Sequence, residues 1–162
     1  METVLCYLIK DEEVLMLFRN KREADINKGK WIGVGGHIED GESSDEALIR
    51  EVYEETSLRL NSFVKRGIID FYMDDKYYER AYVYTSREYT GTISECDEGV
   101  LKYFPIKDIY ALNLWEGDKI FLDILFNSKD YFEIELYYNN DKLIRSVRRL
   151  WHINNLLRIK KN

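Results

Sequence analysis

Glu51, Glu54 and Glu55 stand at i, i+3 and i+4, a spacing that puts three side chains on one face of a helix. Like charges so placed repel, each exposed pair costing about 0.2–0.5 kcal/mol. They also fall in the last turn of the helical stretch, where the helix dipole disfavours anions. A divalent cation reverses the sign of that argument, because hard cations take carboxylate oxygens. The three glutamates alone fit a solvent-facing acidic helix and a metal site equally well. Earlier in the chain, Gly35 and Gly36 let backbone groups approach a metal or a phosphate with no Cβ in the way. Carboxylates, Mg²⁺ and closely approaching backbone are together the usual means of holding a polyphosphate.

Several elements must position these residues. Ser43-Ser44-Asp45-Glu46 has the pattern of a capping box, with Ser43 at the cap and Glu46 three residues on. The helix it opens is expected to run to about Thr56, with Ala47, Leu48 and Val52 as its apolar stripe. Upstream, residues 3–9 and 14–19 read as a strand hairpin, 20–30 as a polar loop, and 31–36 as a segment with three glycines in six residues. Downstream, 63–73 and 77–84 read as strands joined at Asp74-Asp75, and 100–104 as a strand ended by Pro105. Residues 116–126 have helical periodicity, and 131–138 alternate like a strand. Residues 143–159, apolar at 143, 144, 147, 150, 151 and 157, read as an amphipathic basic helix. No repeat, linker or boundary divides the chain, so residues 1–162 are expected to form one α/β or α+β sandwich domain.

Gly36-His-Ile-Glu-Asp-Gly-Glu42, seven residues, then Arg50-Glu51-Val52-Tyr53-Glu54-Glu55-Thr56-Ser57-Leu58 resembles the Nudix box. The match holds at Gly36, Glu42, Arg50, Glu51, Val52, Glu54, Glu55 and Leu58, and fails at Ser57, where the family has glycine. If the helix still ends there in a left-handed backbone, serine costs about 1–2 kcal/mol. The resemblance implies a Nudix-type α/β/α sandwich with a mixed β-sheet. It implies Mg²⁺, with Mn²⁺ as a substitute, bound by Glu51 and Glu55. Glu54 becomes a further ligand or a base acting on water, and the carbonyl of Gly35 an extra ligand. Arg50 and Glu42 are expected to pair and orient the glutamates.

Phe18-Arg19-Asn20-Lys21, Gly29 through Gly36, Cys96-Asp97-Glu98-Gly99 and Leu114-Trp115-Glu116-Gly117-Asp118 look like the branch that hydrolyses oxidised purine nucleotides, the 8-oxo-dGTP diphosphatases. That branch implies Glu98 as a loop carboxylate acting as ligand or base, Trp115 as a purine-stacking ring, and Asp118 as a partner for the base edge. Each has a plainer reading: Trp115 as core, Asp118 as a first-turn acid favoured by the dipole, Glu98 as loop surface. Arg19 contacts phosphate or is solvated; His37 contacts phosphate or caps its loop. Gly36 is expected to border the substrate. The implied function is cleansing of oxidised purine nucleoside triphosphates to monophosphate and pyrophosphate. The alternatives are a Nudix hydrolase of a nucleotide sugar, a dinucleotide polyphosphate or an ordinary NTP, and a non-catalytic nucleotide-binding module.

Charge narrows the classes further. The chain of 162 residues has a net charge of −6, yet its last twenty residues hold six bases and no acid. The basic end has three readings: packing against its own domain, homo-oligomer or partner contact, and nucleic-acid contact, for which it is weak evidence. The acidic body argues against a general nucleic-acid coat. Two cysteines cannot build a disulfide framework, and no apolar run approaches a membrane helix. We therefore expect a reduced, cytoplasmic protein with a nucleotide as its partner.

Overall fold

Side chains of β1 (Glu2–Lys10) alternate between two separate cores. In the computed structural model, which describes residues 1–152, Val4, Cys6 and Leu8 point to one core and Tyr7 and Ile9 to the other. β2 (Glu13–Arg19) returns antiparallel and divides in the same way, with Leu15 on the first side and Val14 and Met16 on the second.

β1 also pairs antiparallel with β4 (Val34–His37) and parallel with β6 (Lys76–Thr90). Beyond β6 lie β5 (Arg59–Met73), antiparallel to it, then β8 (Tyr131–Asn139), parallel to β5, and β9 (Lys142–Trp151) at the edge. β2 carries a smaller antiparallel wing of β3 (Trp31–Ile32) and β7 (Gly99–Pro105). A 3-10 turn over Ile106–Ala111 follows β7. α1 (Ser44–Thr56) covers one face of the sheet, burying Ala47, Leu48 and Val52 against the first core. α2 (Glu116–Asn127) covers the other, burying Phe121, Leu122 and Leu125 against Phe132, Ile134 and Leu136. This is the expected sandwich around a mixed sheet.

The ends of both helices are built from identifiable groups. At the start of α1 the Ser43 hydroxyl accepts from the Glu46 N–H at 3.1 Å, and the Ser43 N–H donates to the Glu46 carboxylate at 3.4 Å. α1 stops at Ser57, which adopts φ 67° and ψ 12°, so the left-handed termination is kept without glycine. Its hydroxyl shares a 2.6 Å hydrogen bond with Ser94. α2 has no basic residue in its last turn. Arg66 of β5 reaches it instead, donating to the carbonyls of Leu125 at 2.8 Å, Ser128 at 2.9 Å and Asp130 at 3.0 Å.

The C-terminal expectation is corrected. Residues 143–151 form most of β9 and not a helix. β8 offers an unpaired edge, and β9 bonds to it from Lys142 to Trp151 with a bulge opposite Tyr137 and Tyr138. That register shift breaks strict alternation, leaving Ile144 and Leu150 exposed and an apolar spacing that imitates a helical period. The rest of the expected helix, 153–159, lies outside the described residues, as do Arg158, Lys160 and Lys161. Among the described residues no helix is long and apolar enough to cross a membrane.

Candidate active site

The glycine strand β4 lies between β1 and α1, and each of its glycines is required by a close approach. A Cβ on Gly35 would stand 1.8 Å from the Val4 carbonyl oxygen, and one on Gly36 would stand 2.4 Å from the Glu51 carboxyl. The Gly35 N–H donates to Glu55 at 3.1 Å. Glu51 and Glu55 are thus seated against a backbone that has no side chains to keep them away.

Glu55 is buried, and Glu98 is the neighbouring acid that acts on it most strongly. Burial, and after it the neighbouring Glu98 carboxyl, push Glu55 far above the usual carboxylate range. Burial also raises Glu51, against the lowering pull of Arg50. Glu54 stands apart, with over half its side chain exposed.

Two arginines hold these acids. Arg50 grips Glu42 in a fork, Nε to Oε2 at 2.7 Å and Nη2 to Oε1 at 2.8 Å. That pairing lowers Glu42 to about 2. Arg50 also donates to Glu51 at 2.8 Å, Glu54 at 3.2 Å and the carbonyl of His37 at 2.9 Å. The expected Arg50–Glu42 pair is therefore present, and it bears on the glutamates directly. Arg19 donates to Glu98 at 2.7 Å and to Asp25 at 2.6 Å. Lys21, its neighbour two residues on, is tied to the Cys96 carbonyl at 2.6 Å. Among the described residues the acids do not already converge in a three-ligand metal cluster, since Arg50 draws Glu51 and Glu54 while Arg19 draws Glu98.

A cavity of about 230 Å³ opens beside this cluster. Arg19, Gly35, Gly36 and Glu98 line it, and so do Trp115 and Asp118. His37 also borders it. Glu51, Glu54 and Glu55 are not part of its wall; Gly35, Gly36 and Glu98 connect them to it.

Trp115 belongs to the core and also borders the cavity. It packs edge-on against Tyr138 on the α2 side. Its indole N–H donates to Asn27 at 2.8 Å, which fixes the ring plane, and the Lys30 ammonium sits 5.1 Å from the ring centre. Asp118 does lie in the first turn of α2, as the plainer reading has it, but it is buried there. It is 5% exposed, and burial raises its carboxyl to about 8.

Sequence reasoning missed Asn27, Asp25, Glu79, Phe71 and Met73. The first orients Trp115, the second holds Arg19, and the others line the cavity. Asn27 and Asp25 belong to a loop with no periodicity, and the other three reach the cavity only through strand register.

Comparison with known proteins bears on the family and the fold. The family profile described as NUDIX domain matches residues 1–124. A Bacillus subtilis protein, the uncharacterized Nudix hydrolase YvcI, is 30% identical over 148 residues, covering 88% of this chain and 90% of that protein. An oxidized purine nucleoside triphosphate hydrolase of Danio rerio is 26% identical over 124 residues, covering 76% of this chain and 80% of its own. Among solved structures, a mutator MutT protein from Bacillus halodurans shares the fold with a TM-score of 0.82, at 22% identity, over 91% of this chain and 96% of that one.

Proposed function

The chain belongs to the Nudix family of hydrolases, and we propose that it is a divalent-metal-dependent pyrophosphohydrolase of nucleoside triphosphates. Its preferred class is oxidised purine nucleotides of the 8-oxo-dGTP type, and its products are the monophosphate and pyrophosphate. One observation carries the reading: a single cavity is lined both by Trp115 and Asp118 and by Gly35, Gly36 and Glu98. A place for a ring adjoins a place for phosphates. The Danio rerio relative supports the same substrate class.

The donor set suits a hard divalent ion. Glu55 and Glu98 are neighbouring acids, one of them buried, and a cation relieves both their repulsion and their desolvation. Glu51, Glu55, Glu98 and the Gly35 carbonyl would hold Mg²⁺, with Mn²⁺ able to replace it. Bound there, the ion would neutralise phosphate charge and make a water more acidic.

The chain's own residues then have distinct tasks. Trp115, fixed by Asn27, stacks on the base, and Asp118 bonds its edge. Arg19 and His37 meet phosphate oxygens from the cavity wall. Water attacks a phosphorus of the α–β linkage, the bond from that phosphorus to the bridging oxygen breaks, and the monophosphate and pyrophosphate separate. The water's proton passes to Glu54 or Glu98. Arg50, anchored by Glu42, keeps Glu51 and Glu54 in place throughout.

The test is a nucleotide panel with Mg²⁺, comparing kcat/KM for 8-oxo-dGTP and dGTP and identifying the products. The reading expects the oxidised nucleotide to lead, with pyrophosphate released. A ratio near one removes the cleansing role and leaves an unspecialised hydrolase; no pyrophosphate from any nucleotide contradicts the reading altogether.

A further inference from the structure

The antiparallel register of β5 and β6 sets Phe71 opposite Glu79, and both line the cavity. Glu79 therefore brings a second carboxyl to the space that Asp118 faces from α2. The two acids come from different elements, and neither is neutralised by a salt bridge among the described residues. Among the described residues no hydrogen bond reaches the Asp118 carboxyl; Lys30 and Glu79 act on it at a distance, and the Tyr7 and Tyr138 hydroxyls lie within its field. Glu79 feels His37 and the chain's N-terminal amine at a distance, and the Thr3 hydroxyl lies near it. Much of the remaining wall is apolar or aromatic: Leu5, Ile32, Phe71, Met73, Trp115 and Tyr138.

Two carboxyls in such surroundings are costly unless something supplies hydrogen bonds. The protein itself supplies few. A ligand with N–H groups on two separate edges would supply both. An ionised Glu79 carboxylate only accepts, so a ring nitrogen turning a lone pair toward it would leave both atoms unsatisfied. Guanine oxidised at C8 differs from guanine on this point: its N7 carries a hydrogen, whereas the N7 of guanine is an acceptor.

We propose that Glu79 is a specificity-determining residue that, together with Asp118, selects bases presenting hydrogen-bond donors on two separate edges and rejects those that turn a lone pair toward β6. The inference rests on the nucleotide reading above and goes past it, since it assigns discrimination between oxidised and ordinary guanine to one side chain on β6.

The variants are Glu79→Gln, which adds an amide donor, and Glu79→Met, which removes the polar group. Each is compared with the unaltered protein in kcat/KM for 8-oxo-dGTP and dGTP with Mg²⁺. Binding of 8-oxo-dGMP and dGMP is followed in parallel by tryptophan fluorescence, with melting curves to verify folding. The expected result is a fall in selectivity of about tenfold or more in both variants, the worth of one lost hydrogen bond. The fall should be carried by KM and by monophosphate affinity. Unchanged selectivity in folded Glu79→Gln and Glu79→Met overturns the inference while leaving the nucleotide reading intact. An unaltered protein that hydrolyses neither nucleotide overturns the nucleotide reading, and this inference with it.

Discussion

Gly36 lies so close to Glu51 that a Cβ on it would stand 2.4 Å from the carboxyl carbon. The backbone of Gly36 is not in the left-handed region, so alanine is conformationally allowed there. The atoms it would meet are the end of a flexible side chain, which can swing away. Gly36→Ala should therefore fold normally and displace Glu51. We expect Mn²⁺ affinity, measured by paramagnetic resonance, and nucleotide turnover each to fall by about 10–100-fold, with the melting temperature nearly unchanged. Unaltered metal affinity in Gly36→Ala would remove Glu51 from the metal site.

Ser57 ends α1 at φ 67°. Glycine meets that backbone without a Cβ penalty of about 1–2 kcal/mol, but Ser57→Gly also gives up the hydroxyl bond to Ser94 and adds freedom to the unfolded chain. The net effect should be stabilisation of about 0.5–1 kcal/mol, read as a higher urea midpoint at unchanged slope. Destabilisation would mean that the Ser57–Ser94 bond outweighs the backbone strain.

Arg66 substitutes for the cation that α2 lacks in its last turn, and its guanidinium serves three carbonyls at 3.0 Å or less. Arg66→Met keeps the aliphatic stem and leaves those oxygens short of donors. A loss of about 2–3 kcal/mol is expected in chemical denaturation, with kcat of the folded fraction little affected because Arg66 does not line the cavity.

Much of the first helix was legible in the sequence because its signals are local. The capping box, the apolar stripe and the glutamate spacing all lie within residues 43–56, and the fold kept each of them. The resemblance also pointed to Trp115 and Asp118, which share the cavity with Glu98. Glu79 and Asn27 were not legible. Glu79 reaches the cavity only through its pairing opposite Phe71, and Asn27 only because a loop folds back onto Trp115. β9 was misread for a related reason: its apolar residues answer to β8 and to a bulge, neither of which local periodicity reveals.

Asp118 makes stability depend on pH in a definite direction. Its folded value, about 8, lies above its ordinary value of 3.8, so the folded state binds the proton more tightly. Its contribution is fully present below about pH 4 and is lost as pH rises toward 8, by up to about 1.4 kcal/mol per pH unit. Glu79, Lys30, Tyr7 and Tyr138 are the ionisable groups coupled to it. Asp118→Asn should flatten this part of the profile, so the melting-temperature gap between variant and unaltered protein should widen in favour of the variant from pH 5 to pH 8. A constant gap would show that Asp118 does not change its proton affinity on folding.

The central claim is that the buried acids of α1 form a metal site at which pyrophosphate is cleaved from a nucleotide. Glu55 lies deepest, tied to the Gly35 N–H and facing Glu98. The most direct measurement is Mg²⁺-dependent pyrophosphate release from 8-oxo-dGTP by Glu55→Gln beside the unaltered protein, with circular dichroism to verify the fold. The expected result is a folded variant with no metal-dependent turnover. Near-normal turnover by folded Glu55→Gln would contradict it.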